Sequence, residues 1–166
     1  MRKFFKRSKS SKILIMGVIV ALCFAVTGWA KAGQDREERE FTDFTHIEEE
    51  YLSTLKSLDF PEGTVLPEKL EGEDSVKRLF RKDNGETRAC NLWEYSWMQE
   101  WLDTYTTEPE RAEQALNELE KAFDMAYMGE DRCDDATRNY LRENIDKAKA
   151  GDPSGFEECI RVNYAE

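Results

Sequence analysis

Three tryptophans at a four-residue spacing are the side chains most suggestive of binding chemistry. Trp93, Trp97 and Trp101 recur about one turn apart and are expected on one side of a helix. Exposed aromatic rings can stack on sugars, whereas buried ones fill the core of a small domain. Glu94 and Glu100 are expected toward the opposite side of that helix. This arrangement favours core packing, with a glycan-binding face as the alternative.

Acid–base catalysis has one candidate pair near that stripe. Glycosidases hold two carboxylates several ångströms apart, and Glu94 and Glu100 are the pair to test for hydrolysis of an envelope polymer. With 35 acidic residues in the chain, this requirement selects almost nothing. No nucleophile-elbow, phosphate-loop or dinucleotide-binding glycine pattern is present. The sequence therefore favours a non-enzymatic protein.

Metal and thiol chemistry are also disfavoured. His46 is the only histidine, and no Cys-x-x-Cys pair occurs, so the usual zinc sites are excluded. Asp131, Asp134 and Asp135 surround Cys133, but they lack the spacing and glycine of a calcium loop. A thiol enzyme needs a base beside its cysteine, and His46 lies in a separate predicted helix. We therefore expect no metal and no cofactor, with a weak calcium site at these aspartates as the alternative.

Three cysteines lie after residue 32: Cys90, Cys133 and Cys159. In an oxidising compartment at most one intramolecular pair can close. Predicted helices that begin at Cys90 and Cys133 place these two at the same end of an up-down-up arrangement. Cys90–Cys133 is therefore the preferred disulfide, and Cys133–Cys159 is the alternative.

The elements that position these residues begin after a charged linker over 33–44. Thr45 and Glu48 form a capping box, and apolar residues follow at helical spacing. This predicts a helix from about His46 to Leu58. Prolines and a glycine then predict an extended connector over 59–74.

The segment after this connector is ambiguous. Asn84 and Gly85 form the pair that type I′ turns prefer, because both central positions of that turn need a positive φ. The pair favours a short hairpin with strands near Lys77–Lys82 and Glu86–Cys90. A single helical turn over 76–80 is the alternative.

The last part of the chain, residues 90–166, has the pattern of a small antiparallel bundle of three to four helices. The expected boundaries are Cys90 for the first helix, a Thr107/Glu110 capping box and Gly129 for the second, Cys133 and Gly151 for the third, and Asp152-Pro153 for the fourth. Residues 45–89 add a helix, the connector and the possible hairpin. The predicted fold class is mainly α.

The N-terminus predicts the compartment. Six basic residues lie in the first twelve positions, and an apolar run covers 13–26. Ala30 and Ala32 then fit a peptidase site. Residues 1–32 are therefore expected to be a cleaved signal peptide, or an anchor retained in the membrane through residues 13–30. Both interpretations export the remainder.

Charge limits the partners of the exported part. Seven of the 24 basic residues lie at or before Lys31, so residues 33–166 carry 35 acidic against 17 basic side chains, a formal net charge of −18. Such a surface disfavours nucleic acid and anionic lipid headgroups. Contact with the membrane is expected only through the N-terminal segment.

These observations predict a secreted or membrane-tethered acidic helical module. We expect it to act through contact with another envelope or extracellular protein. The alternatives are a cell-wall glycan-binding module that uses Trp93, Trp97 and Trp101, and, less favoured, an acid-pair hydrolase.

Overall fold

The computed structural model describes residues 40–71 and 78–164. The expected signal or anchor at 1–32 and most of the predicted linker lie outside these residues. The chain divides into two units, Met1–Phe41 and Thr42–Glu166, and the elements below belong to the second unit apart from Phe41. None of the described helices is long and apolar enough to cross a membrane.

The described part is mainly helical, with one small antiparallel sheet of two strands. The strands are β1 (Phe41–Thr42) and β2 (Phe80–Arg81). The helices are α1 (Phe44–Ser57), α2 (Asn84–Thr104), α3 (Pro109–Glu120), α4 (Asp135–Lys149) and α5 (Ser154–Asn163). Two 3-10 turns, Lys121–Asp124 and Ala126–Met128, lie between α3 and α4.

Helix α1 begins two residues earlier than the sequence predicts. Asp43 is its N-cap, and the Asp43 carboxylate accepts a 3.0 Å hydrogen bond from the His46 backbone N–H. Asp43 therefore has the capping role that was predicted for Thr45. The buried side chains of α1, Ile47, Tyr51 and Leu55, form a hydrophobic cluster with Leu70 and Ala89.

The predicted hairpin at Asn84-Gly85 is wrong. At this turn the positive φ, of 69°, falls on Asp83, and Asn84 and Gly85 are the first two residues of α2. Glu86–Cys90 is therefore helical, and β2 pairs with β1 rather than with a following strand. The Thr87 N–H donates to the Asp83 carbonyl at 3.0 Å, which closes the first helical turn. One left-handed residue is enough to change the chain direction here.

Helix α3 begins at Pro109, close to the predicted position, but without the predicted capping box. Its N-cap is Glu108, which makes no capping side-chain bond. The predicted continuous helix to Gly129 is also wrong, because the α-helix ends at Glu120 and Met125 is extended. This break directs the next 3-10 turn inward, where Tyr127 is buried.

An aspartate precedes each of the helices α4 and α5: Asp134 is the N-cap of α4, and Asp152 lies one residue before Pro153, the N-cap of α5. The Asp134 carboxylate accepts from the Thr137 N–H at 2.8 Å, and the Asp152 carboxylate accepts from the Ser154 N–H at 2.9 Å. Gly151 adopts a φ of 81° between the two helices, as the sequence predicts for a glycine that ends a helix. Because Asp134 is the N-cap of α4, Cys133 lies before this helix rather than within it.

Candidate functional site

The tryptophan stripe forms the core of the domain. Trp93, Trp97 and Trp101 are 1%, 3% and 2% exposed. The indole N–H groups of Trp93 and Trp97 both donate to the Asp59 carbonyl, at 2.7 and 3.0 Å, and so attach the connector to α2. Trp101 contacts Phe156 edge to face, with ring centroids 5.3 Å apart. These rings are not available to stack on a glycan in this fold.

The predicted Cys90–Cys133 disulfide is not formed. Cys90, Cys133 and Cys159 are free thiols, and none lies within disulfide distance of another. Helix α2 begins at Asn84, so Cys90 is six residues, or about 9 Å, beyond the end where the prediction placed it. Burial is also the main reason that the pKa of Cys90 is raised to about 12.

The candidate acid pair does not meet in space. The Tyr127 hydroxyl donates a short hydrogen bond to Glu94 Oε1 in the interior. Glu100 instead binds Arg111, with Arg111 Nη2 2.7 Å from Glu100 Oε1. The two carboxylates therefore contact different partners rather than each other.

Glu94 is the exception to the expected one-sided helix, because its exposed fraction is only 7%. It lines a cavity of about 330 Å³ between α2, the second 3-10 turn, α4 and the C-terminal end of α5. The other polar lining groups are Asn91, Thr137, Tyr140, Asn163 and Tyr164. The apolar and sulfur-containing ones are Met98, Met128, Leu141 and Cys159.

The electrostatics of this cavity follow from the burial of one carboxyl group. Burial raises the pKa of Glu94 to about 7, although the hydrogen bond from Tyr127 acts in the opposite direction. Burial and then the charge on Glu94 raise the pKa of both Tyr127 and Tyr164. Among the described residues, no basic side chain forms an ion pair with Glu94.

The sequence contained a signal for this burial. Glu94 follows Cys90 by four residues and precedes Met98 by four, and both neighbours belong to the buried hydrophobic core. A carboxylate between two buried residues on the same helix face is expected to be buried with them. The four-residue spacing of the tryptophans does not include Glu94, so that spacing alone does not indicate its burial.

The described residues contain no group of three or more histidine, cysteine or acidic side chains arranged to hold a metal ion. Two of the three aspartates near Cys133 use their carboxylates in other contacts. Asp134 caps α4, and Asp135 pairs with Arg138. Asp131 contributes its backbone carbonyl, which accepts a 3.4 Å hydrogen bond from Arg81.

A larger groove of about 830 Å³ lies between Tyr51, Arg88 and Leu92 on one side and residues 67–71 on the other. Most of its 67–71 side is exposed. Its charged side chains, Glu68, Lys69, Glu71 and Arg88, are all less buried than Glu94. The smaller cavity is therefore the better candidate for specific recognition.

Comparison of the chain with protein-family models, with curated proteins and with solved structures found no match.

Proposed function

We propose that the protein is a non-enzymatic, extracytoplasmic helical module that acts by binding another protein at the cell envelope. In this proposal residues 1–32 direct export, and the segment 13–30 either is removed or holds the domain at the membrane. Residues 90–166 act as a small antiparallel bundle whose outer face meets the partner.

The observation that carries the proposal is the exposure of large apolar side chains on the helices that line the Glu94 cavity. Val162 on α5 is 60% exposed and Tyr140 on α4 is 41% exposed. Glu157 and Glu158 are exposed on α5 as well. Apolar side chains beside charged ones are typical of protein-binding surfaces, where aromatic residues contribute most of the binding energy.

Charge identifies the chemistry of the partner. A region with a net charge of −18 attracts cationic surfaces and repels acidic ones. The proposed partner therefore presents an apolar patch surrounded by lysine or arginine side chains. The burial of Trp93, Trp97 and Trp101 is the reason that we do not propose glycan binding, and the separation of Glu94 from Glu100 is the reason that we do not propose hydrolysis.

Site-specific photo-crosslinking tests the surface. A photoreactive amino acid is placed at Val162 or Tyr140 in the full chain, and at the exposed Glu113 of α3 as the matched control. We expect one partner to crosslink from positions 140 and 162 but not from 113. The purified partner should bind the protein more weakly at high salt. It should also bind the Val162→Ser variant more weakly than it binds the unchanged protein.

Two results would contradict this proposal. One is crosslinking of equal strength from all three positions, and the other is hydrolase activity of the purified protein on envelope polymer. Export is tested separately by mass spectrometry of the N-terminus and by a reporter fused after Glu166, which should be active only outside the cytoplasm.

A further inference from the structure

The Glu94 cavity combines a buried negative charge with a wall suited to an apolar cation. One oxygen of Glu94 accepts from Tyr127. A carboxylate can accept several hydrogen bonds, so it retains capacity for a further donor. Among the described residues no lysine, arginine or histidine supplies that donor. A buried carboxylate without a cation is costly to ionise, and a bound cation removes that cost.

The rest of the lining favours one kind of cation. Tyr140 and Tyr164 provide aromatic rings, and Met98 and Met128 provide thioethers. Aromatic faces attract ammonium groups, and thioethers contact alkyl chains without demanding hydrogen bonds. Anions are disfavoured because Glu94 and the net charge of the domain both repel them.

We infer that this cavity binds an alkylammonium group, with the Glu94 carboxylate as its counter-ion and the tyrosine and methionine side chains around its alkyl chain. The group belongs either to a small organic amine or to a lysine side chain of another protein. The chemistry of recognition is the same in both cases.

The acid–base behaviour of the cavity makes this binding dependent on pH. Burial raises the pKa of Glu94 to about 7, so only part of the population is ionised at neutral pH. The titratable groups that face Glu94 or line its cavity are Tyr127, Tyr140, Tyr164, Cys90, Cys133 and Cys159. Burial raises the pKa of the three thiols and of Tyr127 and Tyr164, which keeps these groups neutral there. Glu94 is therefore the group that titrates as the ligand binds.

The nearby cations do not substitute for a ligand. Arg132 forms an ion pair with Glu86 at 2.7 Å, and Arg138 forms one with Asp135 at 2.5 Å. Both guanidinium groups are thereby directed to other carboxylates.

Isothermal titration calorimetry of the full chain with n-butylammonium chloride tests the site. We expect saturable 1:1 binding whose affinity rises about tenfold from pH 6 to pH 8, because the ionised fraction of a carboxyl with a pKa near 7 changes by that factor. Proton release should accompany binding at pH 7. Neutral n-butanol, of nearly the same shape, should bind at least about tenfold more weakly.

Glu94→Gln is the decisive variant, because glutamine keeps the volume and can still accept from Tyr127. It should retain the circular dichroism spectrum and lose both the ammonium binding and its pH dependence. Glu100→Gln is the matched control and should bind as the unchanged protein does. Absence of saturable binding up to about 10 mM, or equal binding by Glu94→Gln, would overturn the inference.

A second pair of ligands identifies the source of the ammonium group. One is a blocked Gly-Lys-Gly peptide, and the other is the same peptide with its lysine Nε acetylated. If the lysine peptide binds tighter than n-butylammonium and acetylation abolishes its binding, the cavity receives a partner's lysine. If the lysine peptide binds more weakly than n-butylammonium, the natural ligand is a free amine.

Discussion

Gly85 lies directly against the backbone of Ile47. A Cβ atom placed on Gly85 would stand 2.0 Å from the Ile47 carbonyl oxygen, which is well inside contact distance. The first turn of α2 therefore touches the backbone of α1, and only glycine permits this approach. This contact joins α1 to the N-terminal end of the tryptophan-bearing helix.

We expect Gly85→Ala to destabilise the domain by about 1–3 kcal/mol, because the overpacking cost exceeds the helix-propensity gain of alanine. The free energy of unfolding in urea is the measurement. Asn84→Ala, at the adjacent position of the same helix, should change it by less than about 0.5 kcal/mol. Equal effects of the two substitutions would show that the close approach to Ile47 does not exist.

The same glycine explains why the local sequence predicts a hairpin where the structure has a helix. The Asn84-Gly85 pair has a strong local preference for a hairpin turn, but the positive φ falls on Asp83, and Gly85 is helical. The reason for a glycine here is a packing contact with a residue 38 positions earlier. Local turn statistics carry no information about such a contact.

A second prediction concerns stability against pH. Glu94 has a folded-state pKa of about 7 against an ordinary value of 4.5. Between these values the folded protein binds more protons than the unfolded chain, so the free energy of unfolding falls as pH rises. The loss amounts to roughly 3 kcal/mol once Glu94 is fully ionised. Urea unfolding at pH 5 and pH 8 measures this loss.

Glu94→Gln cannot ionise and should lack this component of the pH dependence. Asp134 and Asp152 accept hydrogen bonds at the starts of α4 and α5, and these bonds lower their pKa values. Their contributions act in the opposite direction at lower pH, but they are common to both proteins and cancel in the comparison. Glu113→Gln, at an exposed site, should show the same change in the free energy of unfolding with pH as the unchanged protein. If Glu94→Gln also shows that change, Glu94 is not buried in the folded protein.

The third prediction concerns Arg132, which joins the segment before α4 to the start of α2. Arg132 Nη1 lies 2.7 Å from Glu86 Oε2, and Nη2 donates to the Asp83 carbonyl at 3.0 Å and to the Thr87 hydroxyl at 2.9 Å. The Arg132 side chain is only 10% exposed. Its planar group satisfies three acceptors at once, which an ammonium cannot reproduce with the same geometry.

Arg132→Lys should therefore lower the free energy of unfolding by about 1–3 kcal/mol. Arg161→Lys is the matched control, because Arg161 forms an exposed pair with Glu158 that contributes little. Thermal unfolding of the two variants side by side is sufficient. A loss of stability in Arg161→Lys alone, or an equal loss in both variants, would contradict the role given to Arg132.

Interactions between residues close in sequence determine the parts of the fold that could be predicted. Interactions between residues far apart in sequence determine the parts that could not. Apolar spacing correctly indicated the buried side of α1 and the tryptophan stripe of α2, because helical periodicity is local. The contact of Tyr127 with Glu94 spans 33 residues and depends on the extended backbone of Met125. No local pattern indicated that break, so the candidate cavity was not predicted.

The last prediction concerns the three thiols, which the structure leaves unpaired. Cys133 is half-buried in the segment before α4, whereas Cys90 and Cys159 are buried. In the folded protein an alkylating reagent should therefore label Cys133 first, and the other two should react only when the domain opens. Peptide mass spectrometry after timed iodoacetamide treatment, without reductant, measures the order. Cys133→Ser should abolish the fast phase of labelling. A disulfide-linked Cys90–Cys133 peptide from the unchanged protein would contradict the free thiols and support the disulfide that the sequence predicts.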